Sequence, residues 1–263
     1  MQTPSWIVCV LALGTLTAAR GVLAGQPLET ESARLIPAHR LEVELGCEVQ
    51  SSSFGRETTL PFALGYGITD RLELLVEPVP YTSIHDPAGV LAHGQGDLEV
   101  TLTSRVRVER PRAPALALAA EIKLPVAESP VIGSDKTDVT AWLIASKQAG
   151  RWDTHANLGY TWVGKPPGAD VQNVYSYGLA EEFRASRRWE LVGEVYGSTA
   201  ALAESNDAGP GGESSLTPEI GGAETVGALG VRLRVPPGLV LSLGVSYDNQ
   251  QALLVHPGLA VTF

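Results

Sequence analysis

The last eleven residues of the chain, LLVHPGLAVTF (253–263), alternate in side-chain character to the very end. Successive side chains of a β-strand point to opposite faces, so Leu253, Val255, Leu259, Val261 and Phe263 share one face. An alternating strand of this length that ends on an aromatic residue is typical of a transmembrane β-barrel. The end of the chain is therefore predicted to form a barrel strand.

The same period of two continues upstream. Leu41, Val43 and Leu45 alternate with Glu42 and Glu44, and comparable runs recur along the chain. These runs predict an all-β fold, an antiparallel up-and-down transmembrane β-barrel of about 12 strands. The predicted strands are 39–51, 57–68, 71–82, 96–109, 114–126, 137–149, 152–163, 173–185, 189–201, 224–235, 239–249 and 253–263.

The predicted connections alternate between short turns and the longer links 83–95, 127–136, 164–172 and 202–223. Outer-membrane barrels have this rhythm, with short periplasmic turns and long outer loops. It places both chain ends at the periplasmic side. Two features of the sequence do not fit this prediction. The pattern is poor over 173–201, where Glu181 and Glu182 are adjacent, and prolines such as Pro257 lie inside predicted strands.

The N-terminus resembles a secretory signal, although no Lys or Arg precedes its apolar run at 6–19. We predict a cleaved signal peptide at 1–24, an N-terminal periplasmic segment at 25–38 and the barrel at 39–263. No later stretch reaches the roughly 18 apolar residues of a spanning helix. We expect secretion through the inner membrane into the outer membrane of a Gram-negative bacterium. Cys47 would be the only cysteine of the mature chain, which excludes an internal disulfide.

Aromatic residues fall at the ends of the predicted strands. Such residues form girdles where a barrel meets the headgroups of outer-membrane lipid. The predicted girdle consists of Tyr66, Trp152, Trp162, Trp189, Tyr247 and Phe263. Trp142 does not fit, because it lies in the middle of a strand.

Charged residues alternate with the apolar ones and predict a polar lumen. The candidate lumen-lining residues are Glu42, Glu44, Glu73, Glu77, Asp97, Glu99, Arg105, Arg107, Glu121, Lys123, Arg232 and Arg234. Rings of charged side chains set pore selectivity, so one interpretation is a mildly cation-selective channel. The other is a barrel filled by paired charges, because about 12 strands enclose a narrow lumen.

Other classes of function have less support in the sequence. The formal net charge of −10 argues against a nucleic-acid partner. An outer-membrane hydrolase would need inward residues such as Ser242, Ser246, His155 and His256, but no Gly-x-Ser-x-Gly motif is present. A metal site at His85 and His93 matches no strong ligand pattern, and an adhesive role of loop 202–223 rests on composition alone. We expect no catalytic residues, no metal and no cofactor.

Several motifs resemble an outer-membrane barrel family named for the MetA pathway of phenol degradation. They are LGYGITDRL (64–72), GDLEV (96–100), AEIKLP (120–125) and NLGY (157–160). Val126-Ala127 stands where the family usually has Thr-Gly. The resemblance implies a transporter-like protein for small solutes, including hydrophobic or aromatic ones. The terminal Phe263 also resembles the signal that the barrel-assembly machinery reads, which makes that machinery an expected partner.

Overall fold

The computed structural model describes residues 28–53, 55–165, 171–201 and 223–263. These residues form sixteen strands in one antiparallel sheet and contain no helix that is long and apolar enough to cross a membrane. In chain order the strands are β1 (Leu41–Gly46), β2 (Glu48–Ser51), β3 (Arg56–Leu60), β4 (Phe62–Thr69), β5 (Leu72–Pro78), β6 (Tyr81–Asp86), β7 (Gly89–Gly94), β8 (Leu98–Arg107), β9 (Ala115–Leu124), β10 (Asp138–Ala149), β11 (Trp152–Trp162), β12 (Val174–Arg184), β13 (Trp189–Ser198), β14 (Glu224–Val235), β15 (Leu239–Asp248) and β16 (Leu253–Thr262).

Four of these strands continue the strand before them after a short interruption, so the barrel wall has 12 strands. The interruptions fall at Cys47, Pro61, Val79-Pro80 and residues 95–97. Proline has no amide hydrogen to give to a ladder, which accounts for the breaks at Pro61 and Pro80. The prediction of an antiparallel all-β barrel of about 12 strands is confirmed.

The C-terminal strand closes the barrel against the first one. β16 pairs with β1 from Glu42–Thr262 to Gly46–Gly258, and the amide of Phe263 donates to the carbonyl of Leu41 at 2.8 Å. Closure pairs the edges that an open sheet would expose. A barrel can therefore lie in hydrocarbon, where unpaired backbone groups are costly.

The prediction of a loop at 83–95 is wrong in part, because most of this segment belongs to the hairpin formed by β6 and β7. Its turn contains Pro87, and the carboxylate of Asp86 accepts the amides of Ala88 and Gly89. The turn residues made the segment resemble a loop, while the strands on either side extend the wall. Loop 202–222 lies outside the described residues.

The weakly patterned stretch 173–201 is regular in the structure. β12 and β13 pair from Ser176–Ser198 to Arg184–Glu190 with no shift in register. The inward positions of β12 include Gly178 and Ala180, which are small and hide the alternation from a hydropathy pattern. Pro257 lies within β16, and its carbonyl accepts from the amide of Cys47, where β1 and β2 are interrupted.

The six predicted girdle aromatics are all on the exposed surface, between 38% (Tyr66) and 54% (Tyr247 and Phe263) exposed. Trp152 and Trp189 begin strands at the end of the barrel that carries the short turns, called here the inner end, and Trp162 ends a strand at the opposite end, called here the outer end. Their contact with lipid headgroups stays a prediction. Trp142 instead faces the lumen, where its indole Nε1 donates to Glu121 at 2.9 Å.

Candidate functional site: the barrel lumen

Residues 28–40, called here the N-terminal segment, cross the interior of the barrel. The amides of Glu29 and Thr30 donate to the carboxylate of Glu194 at 2.9 and 3.0 Å. The amide of Ala33 donates to Ser146 Oγ at 2.8 Å, and that of Ile36 donates to Glu73. These partners lie on β13, β10 and β5, so the segment spans the lumen. Residues 28–38 are the described part of the predicted periplasmic segment, and they lie against the inner wall of the barrel. The predicted domain boundaries at residues 24 and 38 stay predictions.

Small side chains on the inner wall make room for this segment. Ala33 is fully buried against Ala115, Ala117 and Ala119, which are the inward residues at the start of β9. On β12, a Cβ added to Gly178 would lie 2.6 Å from Thr30 Oγ1. The inner face thus forms a groove that fits the segment closely.

An ionic anchor holds the segment near the inner end of the barrel. Arg34 donates to both oxygens of Asp153 at 2.8 and 2.7 Å and to Glu109 at 2.9 Å. Lys147 also donates to Glu109, at 2.8 Å. Although partial burial opposes it, hydrogen bonding by Lys147 and Arg34 lowers the pKa of Glu109 from 4.5 to about 2.

This shift predicts a pH dependence for the anchor. A carboxyl group with a lowered pKa in the folded state stabilises the fold above its unfolded pKa, and the contribution disappears as pH falls towards the folded value. We expect wild-type protein to melt at a higher temperature than Glu109→Gln at pH 5 to 7, with the difference shrinking between about pH 4.5 and pH 2. Circular dichroism in detergent would measure it. An equal difference at pH 2 would contradict the assignment.

A second ionic cluster is buried in the wall. Arg232 on β14 is 1% exposed and donates to Glu182 at 2.6 Å, with Glu190 at 3.7 Å. Arg234, two residues along, donates to Glu190 at 2.8 Å. The sequence places both arginines on the inward face, but it does not identify Glu182 as a partner.

A cavity of about 1290 Å³ occupies the lumen beside the N-terminal segment. Seven of the predicted lumen residues line it: Glu42, Glu44, Glu73, Glu77, Asp97, Glu99 and Lys123. Glu29 and Glu31 of the N-terminal segment add to these acids. The sequence pattern could not find them, because the segment is not a strand and has no alternation.

One row of charges shows how the acids are arranged. Glu77 on β5 lies opposite Glu99 on β8, and Glu99 lies opposite Lys123 on β9. Lys123 forms an ion pair with Asp138 on β10. Lys123 is thus flanked by acids on both neighbouring strands. Acidic side chains outnumber basic ones in the cavity wall.

Two predicted lumen residues lie elsewhere. Arg105 donates to the carbonyl of Asp70 in the short turn after β4. The pairing of β8 with β9 shifts between Arg105 and Arg107, which brings Arg107 opposite Leu116. Arg107 is therefore exposed and donates to the carbonyl of Pro114 instead of facing the cavity. A β-bulge of this kind cannot be detected from alternation alone.

The residues considered for a hydrolase lie in two separate parts of the barrel wall, and Ser246 Oγ and His256 Nε2 have no hydrogen-bond partner. His155 lies on β11, whereas Ser242, Ser246 and His256 lie on β15 and β16. The serine hydrogen-bonded to His155 is Ser146, at 2.8 Å, and it is 1% exposed because the N-terminal segment covers it. A nucleophile needs space for a substrate as well as a base.

The fold and this lumen define the class of protein as a closed antiparallel barrel of the outer-membrane type. The sequence matches the family model described as "Putative MetA-pathway of phenol degradation" over residues 24–252, and the chain belongs to that family. No curated protein matches the sequence.

Solved structures share the fold. The COG4313 outer membrane channel from Pseudomonas putida F1 has a TM-score of 0.66 at 13% identity, over 90% of this chain and 100% of that one. The NanC porin has a TM-score of 0.58 at 10% identity, over 83% and 98%. The KdgM porin in complex with disordered oligogalacturonate has a TM-score of 0.56 at 7% identity, over 84% and 99%.

Proposed function

We propose that this protein is an outer-membrane channel that lets small solutes pass through its lumen and favours those with positive charge. The observation that carries the proposal is the acid-lined cavity of about 1290 Å³ inside the closed barrel. Carboxylates in a narrow, low-dielectric passage attract cations and repel anions. The solved channel and porins with the same fold support the role. Delivery by a cleaved signal peptide and assembly through the C-terminal strand belong to the same proposal.

The lining also supports a partly apolar solute. Phe62, Leu75 and Val79 line the same cavity as the acids. The family description refers to phenol degradation, which supports a small aromatic solute. A solute with an apolar body and a positive group fits both parts of the wall.

A barrel that is filled and does not transport is the second candidate. It is favoured by the N-terminal segment, which fills a groove between β13 and β5. The two candidates differ in one measurable property, the passage of ions.

Reconstitution in planar bilayers tests the proposal. Wild-type protein should give stepwise conductance and a reversal potential that shows cation preference in a salt gradient. Glu77→Gln combined with Glu99→Gln should reduce this preference, because both acids line the cavity.

The control is Glu181→Gln, since Glu181 is exposed on β12 and is absent from the cavity wall. This variant should keep the wild-type selectivity. Intact barrels that give no steps would contradict the channel and support the filled barrel. Equal selectivity in the double variant and the wild type would refute the role of the acids.

A further inference from the structure

Three side chains that could ligate a metal meet on the inner face of β11 and β12. Asp153 lies directly opposite Glu182, and His155 follows two residues after Asp153 on the same face. One atom from each of the three lies within 4.8 Å of the others. We call these residues the β11–β12 cluster. It lies in the wall beneath the N-terminal segment, apart from the acid-lined cavity.

The imidazole of His155 is held in one orientation. Its Nδ1 lies 2.8 Å from Ser146 Oγ, which also accepts the amide of Ala33. The ring is 2% exposed, and its Nε2 has no hydrogen-bond partner. A metal-binding histidine is usually fixed in this way through its other ring nitrogen.

The free nitrogen points at two carboxylates. Nε2 of His155 lies 3.7 Å from Asp153 Oδ1 and 3.6 Å from Glu182 Oε1. Both distances exceed the roughly 2.7–3.2 Å of an N–H···O hydrogen bond. They are close to the separation of about 3.4 Å between ligands that each lie about 2.1 Å from a tetrahedral zinc ion.

We propose that the β11–β12 cluster binds a divalent transition-metal ion of the zinc type. One imidazole and two carboxylates are suitable direct ligands for Zn²⁺ and leave a fourth position for water. The imidazole disfavours Mg²⁺ and Ca²⁺, which take oxygen ligands in larger numbers. The ion would join β11 and β12 below Arg34.

Neighbouring cations set the strength of this site. Arg34 donates to both oxygens of Asp153, and Arg232 donates to Glu182 Oε1. Each arginine also has a second acid, Glu109 for Arg34 and Glu190 for Arg232. A carboxylate oxygen can accept from more than one partner, so each acid can hold a metal and an arginine. The positive charge nearby makes the site weaker than a site of isolated ligands.

The site has a route of entry. Asp153 is the second residue of β11, directly after the short turn at 150–151, and its side chain is 12% exposed. An ion can therefore approach from the inner mouth of the barrel, where the turn lies.

The test is a titration of the full mature protein with Zn²⁺. The protein would be stripped with chelator in detergent micelles, and binding measured by competition with a chromogenic chelator. We expect one tight equivalent. His155→Ala, which removes one of three ligands, should weaken binding by about 100-fold or more. His256→Ala is the matched control, because His256 is another buried inward histidine at 3% exposure, on β16. It should bind like the wild type.

A gel shift between heated and unheated samples establishes that each variant forms a barrel. Asp153→Asn provides a second test if His155→Ala fails to assemble, and it should also lose the tight equivalent. Co²⁺ bound to wild-type protein should give the visible absorption of a four-coordinate ion, which disappears on addition of Zn²⁺. The proposal is overturned if the wild type binds no Zn²⁺ at one equivalent. It is also overturned if folded His155→Ala or Asp153→Asn binds as tightly as the wild type.

Discussion

Arg232→Met should lower the free energy of unfolding by about 3–5 kcal/mol, the typical cost of removing one partner from a buried ion pair. Arg232 is 1% exposed, with Glu182 at 2.6 Å and Glu190 at 3.7 Å. Methionine fills much of the same volume and leaves Glu182 without its guanidinium. The remaining buried charge is the source of the cost. Urea unfolding in phospholipid bicelles, followed by tryptophan fluorescence, would measure it.

Arg234→Met is the matched control. Arg234 lies on the same strand and bonds the same Glu190, but its side chain is 30% exposed. Solvent screens such a pair, so we expect a loss of at most about 1 kcal/mol. The double variant Arg232→Met, Glu182→Gln should recover much of the stability, because it also removes the carboxylate that Arg232→Met leaves uncompensated, while Glu190 keeps Arg234 as its partner. Equal losses for Arg232→Met and Arg234→Met would contradict the assignment of Arg232 as a buried ionic centre.

The strands of the barrel wall could be predicted from the sequence, because residues that face the bilayer are apolar and the alternate residues that face the lumen are polar. β14 lies at Glu224–Val235, which matches the predicted strand 224–235, and β16 closes the barrel at the predicted C-terminal strand. The prediction failed where the two faces do not differ in hydropathy. Gly178 and Ala180 face inward as small residues, and turn residues conceal the hairpin of β6 and β7.

The contacts between side chains in the interior were harder to predict, because they depend on which residues face each other across strands. Alternation predicts that Arg232 and Glu190 point inward, but only the register brings Arg232 to Glu182, which is 50 residues away in sequence. Glu182 itself was difficult to place, since it directly follows Glu181 and the two face opposite ways. The bulge that exposes Arg107 likewise requires the actual pairing of β8 with β9.

The N-terminal segment is the largest feature that sequence patterns leave out. Besides the side chain of Arg34, backbone amides bind it to the wall, and they donate to Glu194, Ser146 and Glu73. Backbone amides are the same in every residue except proline, so such contacts produce no periodic signal. The segment also lines the cavity in the lumen.

Deleting residues 28–38 from the mature protein should therefore raise the single-channel conductance severalfold and weaken cation selectivity. The deletion removes the chain that crosses the lumen between β13 and β5, together with Glu29 and Glu31, which line the cavity. Conductance depends on the open cross-section, and selectivity depends on the charged lining. The measurement is single-channel recording at several salt concentrations.

A disulfide provides the matched control for this deletion. A Cβ on Gly178 would lie 3.4 Å from Thr30 Cβ, close to the roughly 3.5–4.5 Å of a disulfide. Thr30→Cys with Gly178→Cys, in a Cys47→Ser background, should cross-link under oxidation and keep the wild-type conductance, because the segment is fixed where it already lies. If the deletion left the conductance unchanged, the segment would not limit the pore. Cross-linking could instead abolish the conductance, with reduction restoring it. The segment would then have to leave the wall for ions to pass, and the interpretation of the segment as a fixed part of the pore lining would be wrong.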